Sequence, residues 1–150
     1  MATLIAGTFS VVTTLSRSVP AIEHNLVRYG LASRCRSVRA SEVPVLALED
    51  PASDARRRIS EEIARALAND RAEAIVLGCA GMAALAAALS DEHGVPVVDG
   101  VAAAVKLAEG LVALGLRTTR VGGYQRPGAK NYAGRFACHS PGASRPGSTA

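Results

Sequence analysis

Between Phe9 and Gly115 the chain alternates, four times over, between a short strand-like run and a segment with helical spacing. The strand-like runs are Phe9–Leu15, Arg36–Ala40, Glu73–Cys79 and Val95–Val98. The helical segments run from Ser18 to Gly30, from about Ser53 to Asn69, from Gly81 to Ser90 and from Val101 to Leu114. Such alternation predicts parallel strands joined by right-handed helical crossovers. The expected fold is therefore α/β: an open, doubly wound, mainly parallel four-stranded sheet flanked by helices. Local signals agree. Ser18 and Pro20 open the first helix, Ile59, Ile63 and Leu67 line one face of the second, and Gly115 stops the last. Glu73–Cys79 is a continuous apolar run of the kind buried on both faces of a sheet.

The chain has 150 residues, long enough for one domain with its own core. Aromatic residues make up only 3% and Trp is absent, so that core is built from Ala, Val, Leu and Ile. The net charge of +4 is modest. Its densest cluster, Arg56-Arg57-Arg58, lies on an amphipathic helix and reads as a solvated face, and an extended basic stripe with stacking aromatics is missing. No nucleic-acid partner is expected. Cys35, Cys79 and Cys138 are widely spaced, and no CxxC pattern occurs, which argues against a disulfide framework or a metal site. No basic leader and no membrane-length apolar stretch is present, so the reading is cytoplasmic, without a membrane partner. The domain is expected to span 1–136. Residues 137–150, rich in Gly, Pro and Ser, are expected to form a disordered tail.

In an open parallel sheet, ligands bind at the carboxyl ends of the strands. That rule gathers Thr13 and Thr14 from the first strand, Cys79 from the third and Asp99 from the fourth onto one edge. Cys79 stands just before a helix, and Ala80, Gly81 and Met82 supply its first amides. Free N–H groups at a helix start hold anions and favour a thiolate. Gly78 and Gly81 let a ligand approach the backbone without a Cβ in the way. Two readings of Cys79 stand at this point: a functional thiol, or a small buried hydrophobe. Asp99 also has two, an N-cap for the helix beginning near Val101 or a carboxylate that orients a ligand, and the two are compatible. Cys35 precedes its strand and falls at the opposite edge. Cys138 lies beside His139 in the tail, where nothing preorganises a Cys/His pair. His24 falls on a surface helix and His93 at a helix end.

With GCAGM at a strand end and VPVVDGVAAAVKLAEGL after it, the chain resembles the hydantoin racemases of the aspartate/glutamate/hydantoin racemase superfamily. FSVVTTLSRSVPAIEHNLVRYGL, SVRASEVPVLALE and GYQRPGAKNY are similar to further segments of that family, so the resemblance covers roughly residues 1–136.

The resemblance implies a two-domain enzyme with pseudo-twofold halves, each contributing one cysteine to a cleft between them. One thiolate removes a proton from the stereogenic carbon and the other, as a thiol, protonates the opposite face, with no cofactor. The substrate would be a 5-substituted hydantoin or a related amino-acid derivative. Cys79 matches the cysteine of the second half. Gly78, Ala80 and Gly81 match its loop, and Thr13-Thr14 a polar pair at the first strand's end. The resemblance also implies that this sequence begins where the second half begins. The expectation is a truncated, weak or inactive racemase, with a homo-oligomer as one way to complete the cleft. A one-cysteine decarboxylase-like relative and a non-catalytic small-molecule-binding or interaction domain are the alternatives. Reactivity of Cys79 separates the last of these from the enzymes.

Overall fold

The computed structural model describes the chain except for residues 51, 126, 127, 129 and 141–150. It divides into two units, Met1–Gly110 and Leu111–Ala150. The first contains a short helix α1 (Ala2–Ile5), then β1 (Phe9–Thr13), α2 (Val19–Arg28), β2 (Cys35–Ala40), α3 (Ala55–Asp70), β3 (Ala74–Leu77), α4 (Ala86–His93) and β4 (Val97–Asp99). Helix α5 (Gly100–Ala113) begins in it and ends in the second.

The four strands form one parallel sheet in the order β2-β1-β3-β4. The expected α/β architecture is what the structure has. β1 is central and buried along its whole length. Strand alternation sends its residues to two different cores. Val12 joins Ile75 and Leu77 of β3 against Ile59, Ile63 and Ala66 of α3 and Leu89 of α4. Phe9, Val11 and Ala74 face the other way, toward Ile22 and Leu26 of α2. The spacing of Ile59, Ile63 and Ala66 makes a single apolar stripe, which is why α3 is a helix with one buried face.

A polar cluster ties α3 to the sheet. Arg39 near the end of β2 makes two 2.6 Å hydrogen bonds to Asp70 and one of 3.0 Å to Glu62. Ser10 of β1 donates to Asp70 at 3.2 Å. Hydrogen bonding from the Arg39 guanidinium holds the Asp70 carboxyl below its ordinary range. At the amino end of the sheet Arg34 donates to the carbonyls of Thr3, Ala6 and Gly7, closing α1 down. In the Arg56–Arg58 cluster, Arg56 pairs with Glu92, and Arg57 with Asp54 and Glu61.

Three departures from the sequence reading bear on the site. β3 stops at Leu77, two residues short of Cys79, because Gly78 makes the last ladder bond, to the carbonyl of Val12 at 2.9 Å. The helix expected from Gly81 starts instead as a 3-10 turn, Ala80–Leu85, and becomes α-helical only at Ala86. Alanine is at home in either form, and packing decides: Met82 is fully buried while Gly81 is pressed against Leu48. Helix α5 forms as expected, but no residue of it is buried. No strand is formed after β4 among the described residues, so no crossover carries α5 back over the sheet. Beside its start lies an apolar groove of about 300 Å³, lined by Phe9, Val11, Ile22, Leu26, Val76 and Val98 among others.

In the second unit α5 ends at Ala113, and Gly115 just beyond it takes a φ of +67° that suits glycine. Amides of Gly115 and Leu116 bond back to Val112 and Leu111, a Schellman closure. Two 3-10 turns follow, Gly122–Tyr124 and Gly134–His139. The expected disordered tail, 137–150, thus overlaps a described turn at its start, and its residues 141–150 lie outside the described part. No helix among the described residues is long and apolar enough to cross a membrane.

Candidate active site

The parallel register sets the site. Val12 pairs with Leu77, and Leu77 with Asp99, so the residues after β1, after β3 and at the end of β4 emerge along one edge. Cys79 follows β3 in extended backbone, φ −138° and ψ 130°. Alternation puts its side chain on the face of Leu77, and it packs, partly buried, against the α3/α4 core. Its carbonyl accepts the amide of Met82 at 3.0 Å, which opens the 3-10 turn. Among the described residues, the amides of Cys79, Ala80 and Gly81 donate to no protein acceptor. Three consecutive N–H groups beside the thiol are thus left without a protein partner.

Thr13 and Thr14 are separated by the pleat. Thr13 is 1% exposed, and its hydroxyl donates to the carbonyl of Gly78 at 3.4 Å, so it ties the end of β1 to the peptide before Cys79. Thr14 is also buried, at 4% exposed, and its hydroxyl, which has no partner among the described residues, keeps only slight contact with the surface. Gly78 is needed for close approach: a Cβ on it would lie 3.0 Å from Val11 Cγ1.

Asp99 caps α5, accepting the amides of Val101 at 3.1 Å and Ala102 at 2.7 Å. It also lines, with Gly78, Cys79, Ala80 and Val101, a cavity of about 260 Å³ at the sheet edge. The structure therefore brings Gly78, Cys79, Ala80 and Asp99 around one cavity, while Thr13 stands behind it. Gly81 borders the thiol on its other side.

That other side was not visible in the sequence. The chain leaves β2 and docks onto the end of β1: the Ser41 amide and hydroxyl donate to the Thr13 carbonyl at 2.9 and 3.1 Å, and the Val43 amide to Thr14 at 3.0 Å. Between them Glu42 takes a left-handed φ of +54° and accepts the Ser16 amide. A 3-10 turn, Val45–Leu48, then leans on the Cys79 loop. A Cβ on Gly81 would sit 3.0 Å from Leu48 Cδ1, 3.5 Å from Val45 Cγ1 and 3.8 Å from Cys79 Sγ. The strand-edge rule points to the loop after β2, but no motif in it singles out these side chains.

Cys35 starts β2 opposite Phe9, at the far end of the sheet from Cys79. Its thiol contacts the Ser37 carbonyl, and burial pushes its pKa up. Cys138 lies exposed in the second unit. No group of three or more potential metal ligands occurs among the described residues.

A family profile described as Asp/Glu/Hydantoin racemase matches residues 1–108. The hydantoin racemase of Rhizobium meliloti is 51% identical over 138 residues, 92% of this chain and 57% of that protein. Its counterpart from Pseudomonas sp. (strain NS671) is 42% identical over 134 residues, 89% of this chain and 54% of that one. Among solved structures, the allantoin racemase from Klebsiella pneumoniae superposes with a TM-score of 0.86 at 48% identity, covering 94% of this chain and 58% of its own. The allantoin racemase of Pseudomonas fluorescens gives 0.83 at 47% identity, covering 89% and 57%. The chain thus spans little more than half the length of the relatives it matches.

Proposed function

Because the chain belongs to the Asp/Glu/hydantoin racemase family, we propose that its sheet edge is a proton-transfer site acting on the stereogenic carbon of a 5-substituted hydantoin. The observation that carries this reading is the thiol of Cys79 beside the free amides of Cys79, Ala80 and Gly81. As thiolate, Cys79 takes the proton from ring carbon 5. The electron pair left behind delocalises onto the neighbouring carbonyl oxygen, and the amides stabilise that developing oxyanion. Return of the proton from the same thiol restores the starting enantiomer, while protonation from the opposite side inverts it.

The remaining residues position these groups. Thr13 fixes the Gly78 peptide, Asp99 holds the start of α5 at the cavity wall, and Thr14, whose hydroxyl has no protein partner, would offer a hydrogen bond to a substrate polar atom that reached it. No step requires a cofactor. Among the described residues of Met1–Gly110 no second cysteine stands at this edge, so on this reading the opposing acid–base group would come from outside that unit. A further segment of a longer protein or a second copy of the chain would supply it.

Deuterium incorporation at ring carbon 5 of a chiral 5-substituted hydantoin in heavy water tests the reading. Chiral chromatography runs alongside, with Cys79→Ala as control. Cys79-dependent exchange with retained chirality supports a site serving one face. Exchange with racemisation means the second group is already present. Exchange no faster than in the Cys79→Ala control removes catalytic function from this chain.

A further inference from the structure

We propose that helix α5 pairs with α5 of a second copy of this chain, and that the pairing seats that copy against the Cys79 cavity. The inference rests on the reading of that cavity as a proton-transfer site whose opposing group comes from outside Met1–Gly110. Apart from Lys106 and Glu109, α5 consists of Gly, Ala, Val and Leu. At about 100° per residue, Val101, Val105 and Ala108 form one stripe, and Ala103 falls on the opposite side. Ala103 is half-buried and lines the chain's own apolar groove. The stripe is therefore turned away from the sheet, with Val101 48% and Val105 51% exposed. A helix that is apolar all round is ordinarily covered all round.

Three observations favour a second copy as the cover. No strand follows β4 among the described residues to carry α5 back over its own sheet, and the sequence from Ala137 to Ala150 contains no Val, Leu, Ile, Met, Phe, Tyr or Trp to lay on it. The stripe also carries no charge that would repel its own copy. Lys106 and Glu109 lie outside it and pair with each other at 2.7 Å, while the small Ala108 lets two helices approach closely. Finally, the stripe starts where the site is open: Val101 is both its first residue and a wall of the Cys79 cavity. In a twofold contact centred on Val105, the two Val101 residues stand about 12 Å apart along the helices, and both cavities lie at the interface. The contact is small beside the roughly 20–30 residues a side of a standard interface, so the dimer is expected to be weak.

Sedimentation velocity of the full chain over a hundredfold range of concentration reads the pairing. The wild type is expected to form a concentration-dependent dimer. Val105→Glu and Val105→Lys each set like charges against one another and should weaken it about tenfold or more, and mixing the two variants should restore it. Val105 is exposed, so neither variant disturbs the core, and Val27→Glu, at a 69% exposed position on α2, should change nothing. Monomer at every concentration overturns the pairing, as does a dimer indifferent to both Val105 variants or a mixture no stronger than either variant alone. Deuterium exchange and racemisation of a 5-substituted hydantoin, followed over the same concentrations, separate the pairing from the reading beneath it. Cys79-dependent racemisation that rises with the dimer and falls in Val105→Glu supports both. A dimer with Cys79-dependent exchange and no racemisation overturns the seating at the cavity. A dimer that exchanges no faster than Cys79→Ala overturns the hydantoin reading and leaves the α5 pairing standing, and a monomer with Cys79-dependent exchange does the reverse.

Discussion

Gly78 passes so close to Thr13 that a Cβ built on it would lie 3.0 Å from the Thr13 Cβ, while the Thr13 hydroxyl reaches the Gly78 carbonyl at 3.4 Å. The two residues fix the height at which the chain leaves the sheet, and with it the position of Cys79. Gly78→Ala forces a methyl against the side chains of Thr13, Val11 and Ile22. We expect a loss of about 1–3 kcal/mol, measured by urea unfolding. An unchanged midpoint would mean the contact is looser than its geometry.

Replacing Cys79 by Ala should abolish hydantoin exchange, by about 100-fold or more, with a fold unchanged by circular dichroism. Cys35→Ala, at the other end of the sheet, should leave exchange at wild-type level. Equal losses in the two variants would remove the distinction between them.

Gly81→Ala and Leu48→Ala should couple. The first introduces a methyl 3.0 Å from Leu48 Cδ1, and the second clears the space. A double-mutant cycle on unfolding free energy should show Leu48→Ala costing about 1 kcal/mol less in the Gly81→Ala background. Additive costs would show that Leu48 already swings away.

Asp99→Ala should lower stability by about 1 kcal/mol through loss of the α5 cap, and Asp99→Asn should restore most of it. Thermal unfolding reads the cap. Exchange kinetics of Asp99→Asn then report separately on the carboxylate charge at the cavity wall.

The Arg39–Asp70 pair predicts an acid-side loss of stability. Asp70 is held below its ordinary pKa when folded, so its contribution is complete above the unfolded value, about 3.9. It is lost as pH falls through that value toward the lower folded one. Asp70→Asn should cost on the order of 1 kcal/mol at neutral pH and flatten the acid limb of stability against pH. An equally steep limb in the variant would assign the titration elsewhere.

Periodicity along the chain was enough to read the order of elements and the parallel sheet, and it pointed to the edge that carries Thr13, Thr14, Cys79 and Asp99. Periodicity and strand polarity are local properties, and the crossover rule converts them into topology. The sequence also marked Gly78, but as a place where a ligand could approach the backbone, whereas the missing Cβ makes room for Thr13, Val11 and Ile22. Only the tertiary structure decided what each side chain does there. Thr13 and Thr14 are adjacent letters and both are buried, yet the pleat bonds one hydroxyl to Gly78 and leaves the other without a protein partner. The turn after Cys79 is 3-10 because Met82 and Leu48 hold it, a consequence of packing that alanine propensity does not encode. The Val45–Leu48 wall reaches the thiol across more than thirty residues of intervening chain, and contacts at that separation leave no local pattern to read. Helix α5 shows the converse: its apolar composition specified a helix, but burial needs a surface to pack on, and that is not a property of the helix.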